Sequence, residues 1–207
     1  MRTIVEDGHQ FWRTYFRFDG KHEVYPIYVP IYQDAVLSSS YVRTLRAQFI
    51  QMRRWAYGAS DIAYVAYMGF IRKNKAPKLD LTFKLLRLIE GHISWATAPL
   101  LLLFAAFIPL LFHPQNYIAN QLPIVASNIQ KIAMTGILIT LFLSFKTLPP
   151  KPDRYKRHRS LWMILQWVYL PVTTIIYSSF SALNSQTRLI FGWYLDKFDL
   201  TDKVVKK

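Results

Sequence analysis

The spacing of apolar residues predicts one amphipathic helix in the first third of the chain. Three serines at 38–40 can cap its first turn. Apolar positions then recur at helical spacing as far as about Tyr57, and they are Val42, Leu45, Phe49 and Met52. On roughly the opposite face lie Gln51, Arg54 and Trp55. The helix therefore has one face that packs and one face that is free to bind.

The residues before this helix are predicted to form the edge of a soluble domain. The apolar pair at 4–5 suits the end of a buried strand that delivers Glu6 and Asp7 to a site. Residues 11–16 then suit a short amphipathic helix. The β-prone run at 24–30 contains two prolines, which favour an edge strand or an extended segment over a central strand.

The amphipathic helix is followed by further elements of the same soluble region. Residues 58–60 are predicted to break or re-cap it, and residues 61–70 to form another short helix. The aromatic residues of that short helix either line a sugar path by stacking or pack in the interior, and they are Tyr64, Tyr67 and Phe70. A basic loop at 72–78 ends the soluble region, which is predicted to span residues 1–78.

The chain beyond residue 78 is predicted to lie on and in a membrane. Residues 79–88 form an amphipathic pattern, for a helix that either lies on the bilayer or packs on the soluble region. No Asp, Glu, Lys or Arg occurs from residue 91 to 130. Within that stretch, residues 93–112 are long enough to cross a hydrocarbon core of about 30 Å. Two further apolar segments lie at 130–148 and 160–183. Together these segments predict a membrane region at 79–183 with two to three transmembrane segments.

The positions of the basic residues predict the orientation of these segments. The loop at 146–159 is the most basic short loop, which places it in the cytoplasm. The loop at 113–129 carries no full charge and belongs outside. The basic tail at 184–207 stays in the cytoplasm if segment 160–183 is re-entrant or bends back near Pro171. A full crossing would instead place the tail outside.

Composition agrees with a multi-pass membrane protein, since 52% of the 207 residues are hydrophobic and 16% are aromatic. The net charge of +14 is interleaved with apolar spans, as expected beside anionic lipids, and no nucleic-acid-binding motif accompanies it. We therefore expect membrane lipids and no nucleic acid as partners. The chain has no cysteine, which excludes a disulfide framework. The histidines other than His9, at positions 22, 92, 113 and 158, lack ligand spacing, so no metal site is predicted in this chain. His9 lies close to Asp7 and either relays a proton or has a structural role.

The free face of the amphipathic helix carries chemistry that suits a sugar and a phosphate. A guanidinium such as that of Arg54 matches a phosphate, and the indole of Trp55 suits the apolar face of a sugar ring. The carboxamide of Gln51 can exchange hydrogen bonds with hydroxyls. The alternative is an exposed basic helix whose tryptophan is a membrane-interface anchor.

Three short motifs resemble those of processive family 2 glycosyltransferases, the group that includes cellulose, chitin and hyaluronan synthases. The run Gln51-Met52-Arg53-Arg54-Trp55 resembles the QxxRW signature, and residues 4–7 resemble the TED motif that precedes it. The run from Phe198 to Lys203 resembles the FxVTxK gating loop, with Leu200 in place of Val. The three motifs occur in the order that the family has.

The resemblance implies a role for each matched residue. Asp7 corresponds to the general base that takes the proton of the acceptor hydroxyl, and Glu6 is its companion in the motif. The acceptor and diphosphate site corresponds to Gln51, Arg53, Arg54 and Trp55. The loop that closes over the bound nucleotide corresponds to Phe198, Thr201 and Lys203.

The nucleotide-binding half of the family has no counterpart in this sequence. No D-x-D motif and no glycine-rich phosphate loop occur in the 207 residues. The resemblance therefore implies that a missing N-terminal half or a partner chain supplies the donor site. It also implies a divalent metal, Mg²⁺ or Mn²⁺, whose ligands are not in this chain.

The sequence thus predicts a mainly α membrane protein that carries the C-terminal remnant of a GT-A (α/β) catalytic domain, followed by interfacial helices and transmembrane segments. The expected function is inverting transfer of a hexose from a UDP- or GDP-sugar to a growing glycan or a lipid-linked acceptor. The expected place is the cytoplasmic face of the plasma or inner membrane. The isolated chain is expected to be inactive, and the alternative function is that of a non-catalytic membrane subunit or remnant of such a synthase.

Overall fold

A computed structural model describes residues 4–29, 31, 35–147, 161–162 and 165–195. Within these residues the chain is mostly helical and contains no β-strand, which confirms the prediction of a mainly α protein. The α-helices are α1 (Glu6–Arg17), α2 (Tyr41–Ala56), α3 (Ser60–Ala66), α4 (Lys78–Phe104), α5 (Ile108–Phe112), α6 (Tyr117–Thr147), α7 (Leu170–Thr173) and α8 (Ser181–Ile190). Short 3₁₀ turns lie at Tyr57–Ala59, Ala105–Phe107 and Gln166–Tyr169, and π-helical turns at Tyr67–Ile71 and Thr174–Phe180.

Helix α1 forms because its sequence suits both of its ends and one of its faces. Acidic residues occupy its first turn and Arg17 its last turn, which is the arrangement that the helix dipole favours. Three large residues at helical spacing are buried, and they are Trp12, Tyr15 and Phe16. The predicted helix at 11–16 is therefore confirmed as part of a longer helix.

The predicted strand end at residues 4–5 is wrong. Val5 is the N-cap residue of α1, and Glu6 and Asp7 form the first turn of this helix. The physical reason is that two adjacent carboxylates stabilise a helix N-terminus, while the described residues offer no strand for residues 4–5 to pair with. Residues 24–29 form no strand and are exposed, so of the two alternatives predicted at 24–30 the edge strand is not formed there and a segment without regular structure remains.

The larger buried cluster joins α1 to α3 and α4. It consists of Trp12, Tyr15, Phe16, Val65, Ala76 and Leu81. Tyr15 is fully buried, and its hydroxyl donates to Oδ2 of Asp80 at 2.8 Å. Gly20, at φ +84°, turns the chain after α1, and a Cβ there would lie 2.6 Å from Cδ of Pro77. This corner of the structure therefore has no room for a larger residue.

The connection between α3 and α4 is fixed by side chains that donate hydrogen bonds to backbone carbonyls of the π-helical turn Tyr67–Ile71. Nδ2 of Asn74 donates to the Met68 carbonyl at 2.7 Å, and Nζ of Lys78 donates to the Gly69 carbonyl at 2.5 Å. Carbonyl groups at the end of a helix lack partners within the helix, and these donors supply them. The predicted loop at 72–78 is thus a loop as far as Pro77, and Lys78 begins α4.

The predicted helix is α2, but its predicted packing face is wrong: Val42 and Leu45 are exposed, and Phe49 and Met52 are only half-buried. The contact of α2 with its neighbours is made instead near its end, where Ala56 is buried. The N-cap of α2 is Ser40, whose side-chain oxygen accepts from the Arg43 backbone N–H at 3.3 Å. Helix α8 packs against α2, and a second buried cluster consists of Ala56, Ala96 and Ala182. Alanines at a contact allow helix backbones to approach closely, which explains why this cluster is made of small residues.

The described residues divide into two compact units. One is formed by residues up to 98 together with residues from 174 onward, and the other by residues 99–173. In the second unit, the 3₁₀ turn at Ala105–Phe107 and α5 pack on α6. The Gln130 side chain donates to the Leu102 carbonyl in the last turn of α4, where such a carbonyl has no partner within the helix.

Two stretches are long and apolar enough to cross a membrane, Lys78–Phe112 and Tyr117–Thr147. They contain the predicted span at 93–112 and, as far as Thr147, the predicted span at 130–148, whose last residue lies outside the described residues. The predicted outside loop at 113–129 is wrong in its extent, because residues from Tyr117 onward already belong to α6. Residues 117–129 carry no charge, so nothing in them opposes helix formation except Pro123, which lies within the helix. The amphipathic segment at 79–88 is not a separate helix either, since α4 continues through it.

The third apolar segment has no single long helix in its described part. From Gln166 it consists of a 3₁₀ turn, α7, a π-helical turn and the start of α8, which continues beyond the segment to Ile190. Ser179, Ser181 and Ser185 are fully buried in this part of the chain. Whether segment 160–183 is re-entrant or crosses a membrane stays a prediction.

Candidate active site

A small cleft lies between the start of α1 and the end of α2. Its volume is about 120 Å³, and its lining residues are Ile4, Val5, Glu6, Asp7, Arg54 and Trp55. Glu6 and Asp7 are exposed, Arg54 is half-buried, and Trp55 is 48% exposed. Two motifs that are 47 residues apart in the sequence, counted from Asp7 to Arg54, therefore border one space.

The local structure explains how these side chains reach the cleft. Glu6 and Asp7 lie in the first turn of α1, where the partial positive charge of the helix N-terminus favours carboxylates. Arg54 lies in the last turn of α2, where the partial negative charge favours a cation. Trp55 follows directly and remains accessible at the end of the helix. Each charged group thus sits at the helix end that stabilises it.

Gln51 and Arg53 do not line this cleft. Gln51 lies one turn before Trp55 on α2 and is half-buried. Arg53 is also half-buried, and its Nε is inaccessible to solvent. The gating-loop residues Phe198, Thr201 and Lys203 lie outside the described residues. Of the predicted site residues, the structure thus brings together Glu6, Asp7, Arg54 and Trp55.

The cleft combines three chemical functions within a small space. A carboxylate can accept the proton of an incoming hydroxyl, and a guanidinium can hold an anion through two parallel hydrogen bonds. An exposed indole offers a flat apolar surface to a sugar ring. Cations near a leaving group stabilise the charge that develops on it. This arrangement suits the transfer of a group from an anionic carrier to a hydroxyl.

His9 lies on the buried side of α1 and contacts Asp61. Its Nδ1 is 2.7 Å from Oδ1 of Asp61, whose residue is only 4% exposed. The His9 ring also packs on Tyr64, with the ring centroids 4.5 Å apart. Gly8 is close to the same carboxylate, since a Cβ at Gly8 would lie 3.4 Å from Oδ2. Of the two interpretations of His9, this geometry favours the structural one, because the histidine holds a buried carboxylate in place.

Asp61 is a residue that the sequence reasoning did not single out. An aspartate in the first turn of a helix is ordinary and is usually solvated, so its type and position carry no signal of burial. His92 is a second such residue. Its Nδ1 is buried and has no hydrogen-bond partner among the described residues, and its ring lies beside Gly58. The Gln186 side chain of α8 donates to the His92 carbonyl at 2.8 Å. These contacts tie α4 to α8 and to the 3₁₀ turn that follows α2.

The aromatic residues of the predicted short helix have different environments. Tyr64 packs against the larger cluster, with its ring centroid 6.1 Å from that of Phe16. Tyr67 and Phe70 are about half exposed, and Nζ of Lys78 lies 5.8 Å from the centroid of the Phe70 ring. Packing is therefore the role of Tyr64, whereas Tyr67 and Phe70 remain open to solvent.

Within the described residues, no group of three or more His, Asp or Glu side chains is arranged to hold a metal ion. No protein-family model matches the chain, and no curated protein or solved structure is significantly similar to it.

Proposed function

We propose that this chain is the acceptor-side and membrane part of a glycosyltransferase of the family 2 type, and that its first 78 residues are the C-terminal remnant of a GT-A catalytic domain. The observation that carries the proposal is the shared cleft of Glu6, Asp7, Arg54 and Trp55. The TED-like and QxxRW-like motifs resemble motifs of one active site, and their side chains border one space here. Two long apolar helices support a membrane location.

In the proposed reaction, the acceptor hydroxyl loses its proton to the Asp7 carboxylate while its oxygen bonds to the anomeric carbon of the donor sugar. The bond between that carbon and the diphosphate breaks, and the diphosphate takes the electron pair. Attack from the side opposite the leaving group inverts the anomeric configuration. A well-placed base contributes on the order of 10²–10⁴-fold to such a rate. Arg54 binds the departing diphosphate, and Trp55 packs on the acceptor sugar.

The donor, a UDP- or GDP-sugar, requires residues that this sequence does not provide. The family resemblance implies Mg²⁺ or Mn²⁺ on the diphosphate, which would supply charge neutralisation when bound. The described residues offer no set of ligands for such an ion, so we assign none of them to it. We propose that an N-terminal half or a partner chain holds the donor, and that the acceptor is a glycan or a lipid-linked sugar. The catalytic part would face the cytoplasm in a multi-pass protein of the plasma or inner membrane.

A second function, that of a non-catalytic membrane subunit or remnant of a synthase, is favoured by one specific observation. The sequence has no D-x-D motif, so this chain by itself has no recognised donor site. In that case the cleft would be retained without being used for transfer.

Transfer of radiolabelled sugar tests the two functions. Membranes that contain this chain, with and without the polypeptide encoded directly upstream, are supplied with a panel of UDP- and GDP-sugars. We expect incorporation into membrane glycan or lipid in the presence of the upstream polypeptide. Asp7→Asn should lower the rate by about 10²-fold or more, because it removes the base but keeps the shape. Trp55→Ala should also abolish most of the incorporation.

The matched control is Asp19→Asn, which makes the same chemical change at an exposed carboxylate outside the cleft. It should leave incorporation unchanged. Equal incorporation by Asp7→Asn and Asp19→Asn would overturn the proposed role of Asp7. No incorporation from any donor by the well-expressed pair of polypeptides would favour the non-catalytic subunit.

A further inference from the structure

An open groove runs along α1 on the side that faces α3 and the π-helical turn Tyr67–Ile71. Its α1 wall includes Arg13 and Arg17, which are one turn apart, and its opposite wall includes Tyr64, Met68 and Arg72. The groove has a volume of about 890 Å³. This volume lies within the range of about 300–1,000 Å³ that is typical of small-molecule sites. The groove is therefore large enough for a ligand much bigger than a single ion.

Three arginines give this groove a strong positive charge. Arg13, Arg17 and Arg72 are all exposed, and in the described part of the chain none of them forms an ion pair. Like charges at positions i and i+4 of a helix repel each other, as Arg13 and Arg17 must. Glu6, at one end of the groove, is the one carboxylate among the lining residues. The groove thus has the charge that an anion would neutralise.

Aromatic and apolar side chains line the same groove as the cations. Phe16, Phe18 and Tyr64 line the groove together with Met68. Guanidinium groups match phosphate oxygens through paired hydrogen bonds, and they are less strongly hydrated than ammonium groups. Aromatic faces accommodate an apolar or ring-shaped portion of the same ligand. The combination fits a molecule that joins a phosphate to an apolar or sugar moiety better than it fits inorganic phosphate alone.

We propose that the groove of Arg13, Arg17 and Arg72 is a binding site for a phosphate ester, either the headgroup of an anionic lipid or a soluble nucleotide. Both ligands present the same phosphate chemistry to the three guanidinium groups. The groove shares only Glu6 with the cleft at Asp7. The binding site therefore does not depend on the proposed sugar transfer, and its test uses no transfer assay.

Calorimetric titration of the full chain in neutral detergent micelles tests the proposal. The probes are a short-chain phosphatidic acid, uridine diphosphate and inorganic pyrophosphate, with a short-chain phosphatidylcholine as the zwitterionic comparison. We expect saturable binding of phosphatidic acid or of uridine diphosphate, and little binding of phosphatidylcholine. Saturation by phosphatidic acid alone identifies a lipid headgroup as the ligand. Saturation by uridine diphosphate identifies a nucleotide.

The decisive comparison is between two double variants that each remove two positive charges. Arg13→Gln with Arg17→Gln changes the groove, whereas Arg43→Gln with Arg46→Gln changes exposed arginines of α2 outside it. Each charge-assisted hydrogen bond lost should raise the Kd by about tenfold, so the groove variant should bind at least that much more weakly. The α2 variant should bind within about twofold of the unchanged chain, because distant surface charges are screened.

Two results would overturn the proposal. One is the absence of saturable binding by both phosphatidic acid and uridine diphosphate, whether or not pyrophosphate binds. The other is equal weakening by both double variants, which would mean that overall charge, and not the groove, attracts the probe. Far-UV circular dichroism confirms that the variants are folded. If the α1 double variant is unfolded, Arg72→Gln on the opposite wall gives the same comparison, and its Kd must rise by about tenfold.

Discussion

Tyr15 joins α1 to α4 through two interactions that can be separated by mutation. Its ring is fully buried in the cluster with Trp12 and Leu81, and its hydroxyl donates to Oδ2 of Asp80 at 2.8 Å. Tyr15→Phe removes only the hydrogen bond, whereas Tyr15→Ala removes the ring as well. Because α1 carries Glu6 and Asp7, both variants also test how firmly this part of the cleft is held.

The expected magnitudes follow from the surroundings of each group. A hydrogen bond to a charged group contributes about 1.5–3 kcal/mol. Asp80 is partly exposed and keeps its ion pair with Lys84, so water can replace part of the lost bond. We therefore expect Tyr15→Phe to lower the free energy of unfolding by about 1–2 kcal/mol. Loss of the whole buried ring in Tyr15→Ala should cost about 3–5 kcal/mol.

Urea unfolding in mild detergent, followed by tryptophan fluorescence, measures these changes, since Trp12 lies next to Tyr15 with ring centroids 5.9 Å apart. Tyr25→Phe is the matched control, because the Tyr25 hydroxyl also donates to a carboxylate, that of Glu23, but on an exposed segment. It should have no measurable effect. An equally small effect of Tyr15→Phe would refute the role of the hydroxyl, and a small effect of Tyr15→Ala would refute the packing of α1.

The same interactions predict how stability depends on pH. Burial and the hydrogen bond to Asp80 raise the pKa of Tyr15 above its usual value. In the unfolded chain a tyrosine has a pKa of about 10. The stabilisation by Tyr15 is therefore complete below about pH 10 and is lost as the pH rises above it, because the unfolded phenol then releases its proton first. The free energy of unfolding should fall less steeply above this pH in Tyr15→Phe.

Two further predictions concern buried contacts of the same unit. Gly69→Ala places a Cβ against the fully buried side chain of Leu81, and the resulting overpacking should cost about 1–3 kcal/mol of unfolding free energy in the urea assay. In a Leu81→Ala background this penalty should vanish, so equal penalties in both backgrounds would contradict the contact. His9→Ala leaves the buried Asp61 carboxylate without its 2.7 Å partner and should cost about 1–3 kcal/mol. A double-mutant cycle with Asp61→Ala should give a coupling energy of at least about 0.5 kcal/mol, and strictly additive effects would argue against the pair.

Local signals in the sequence were sufficient for several elements. The position of α2 followed from the period of its apolar residues and from the serines before it, and Ser40 is the residue that caps it. The cores of the two apolar spans followed from their length and lack of charge. These features depend on hydrogen bonds and side chains within one segment, so no knowledge of distant residues was needed.

Other boundaries were wrong because local patterns were compatible with more than one structure. Residues 117–129 are uncharged but rich in polar groups, and they extend α6 where a loop was predicted. The apolar pair at 4–5 precedes a helix and not a site at the end of a strand. In each case the backbone satisfies its hydrogen bonds by continuing or beginning a helix, which the apolar pattern alone does not reveal.

The sequence by itself therefore determined a mainly helical, apolar and strongly basic chain. Only the tertiary structure decided which side chains meet. It placed Glu6 and Asp7 beside Arg54 and Trp55, left Gln51 and Arg53 out of that cleft, and buried Asp61 against His9. The physical reason is that such contacts depend on how α1, α2 and α3 pack, and packing is set by the joint fit of residues far apart in the chain.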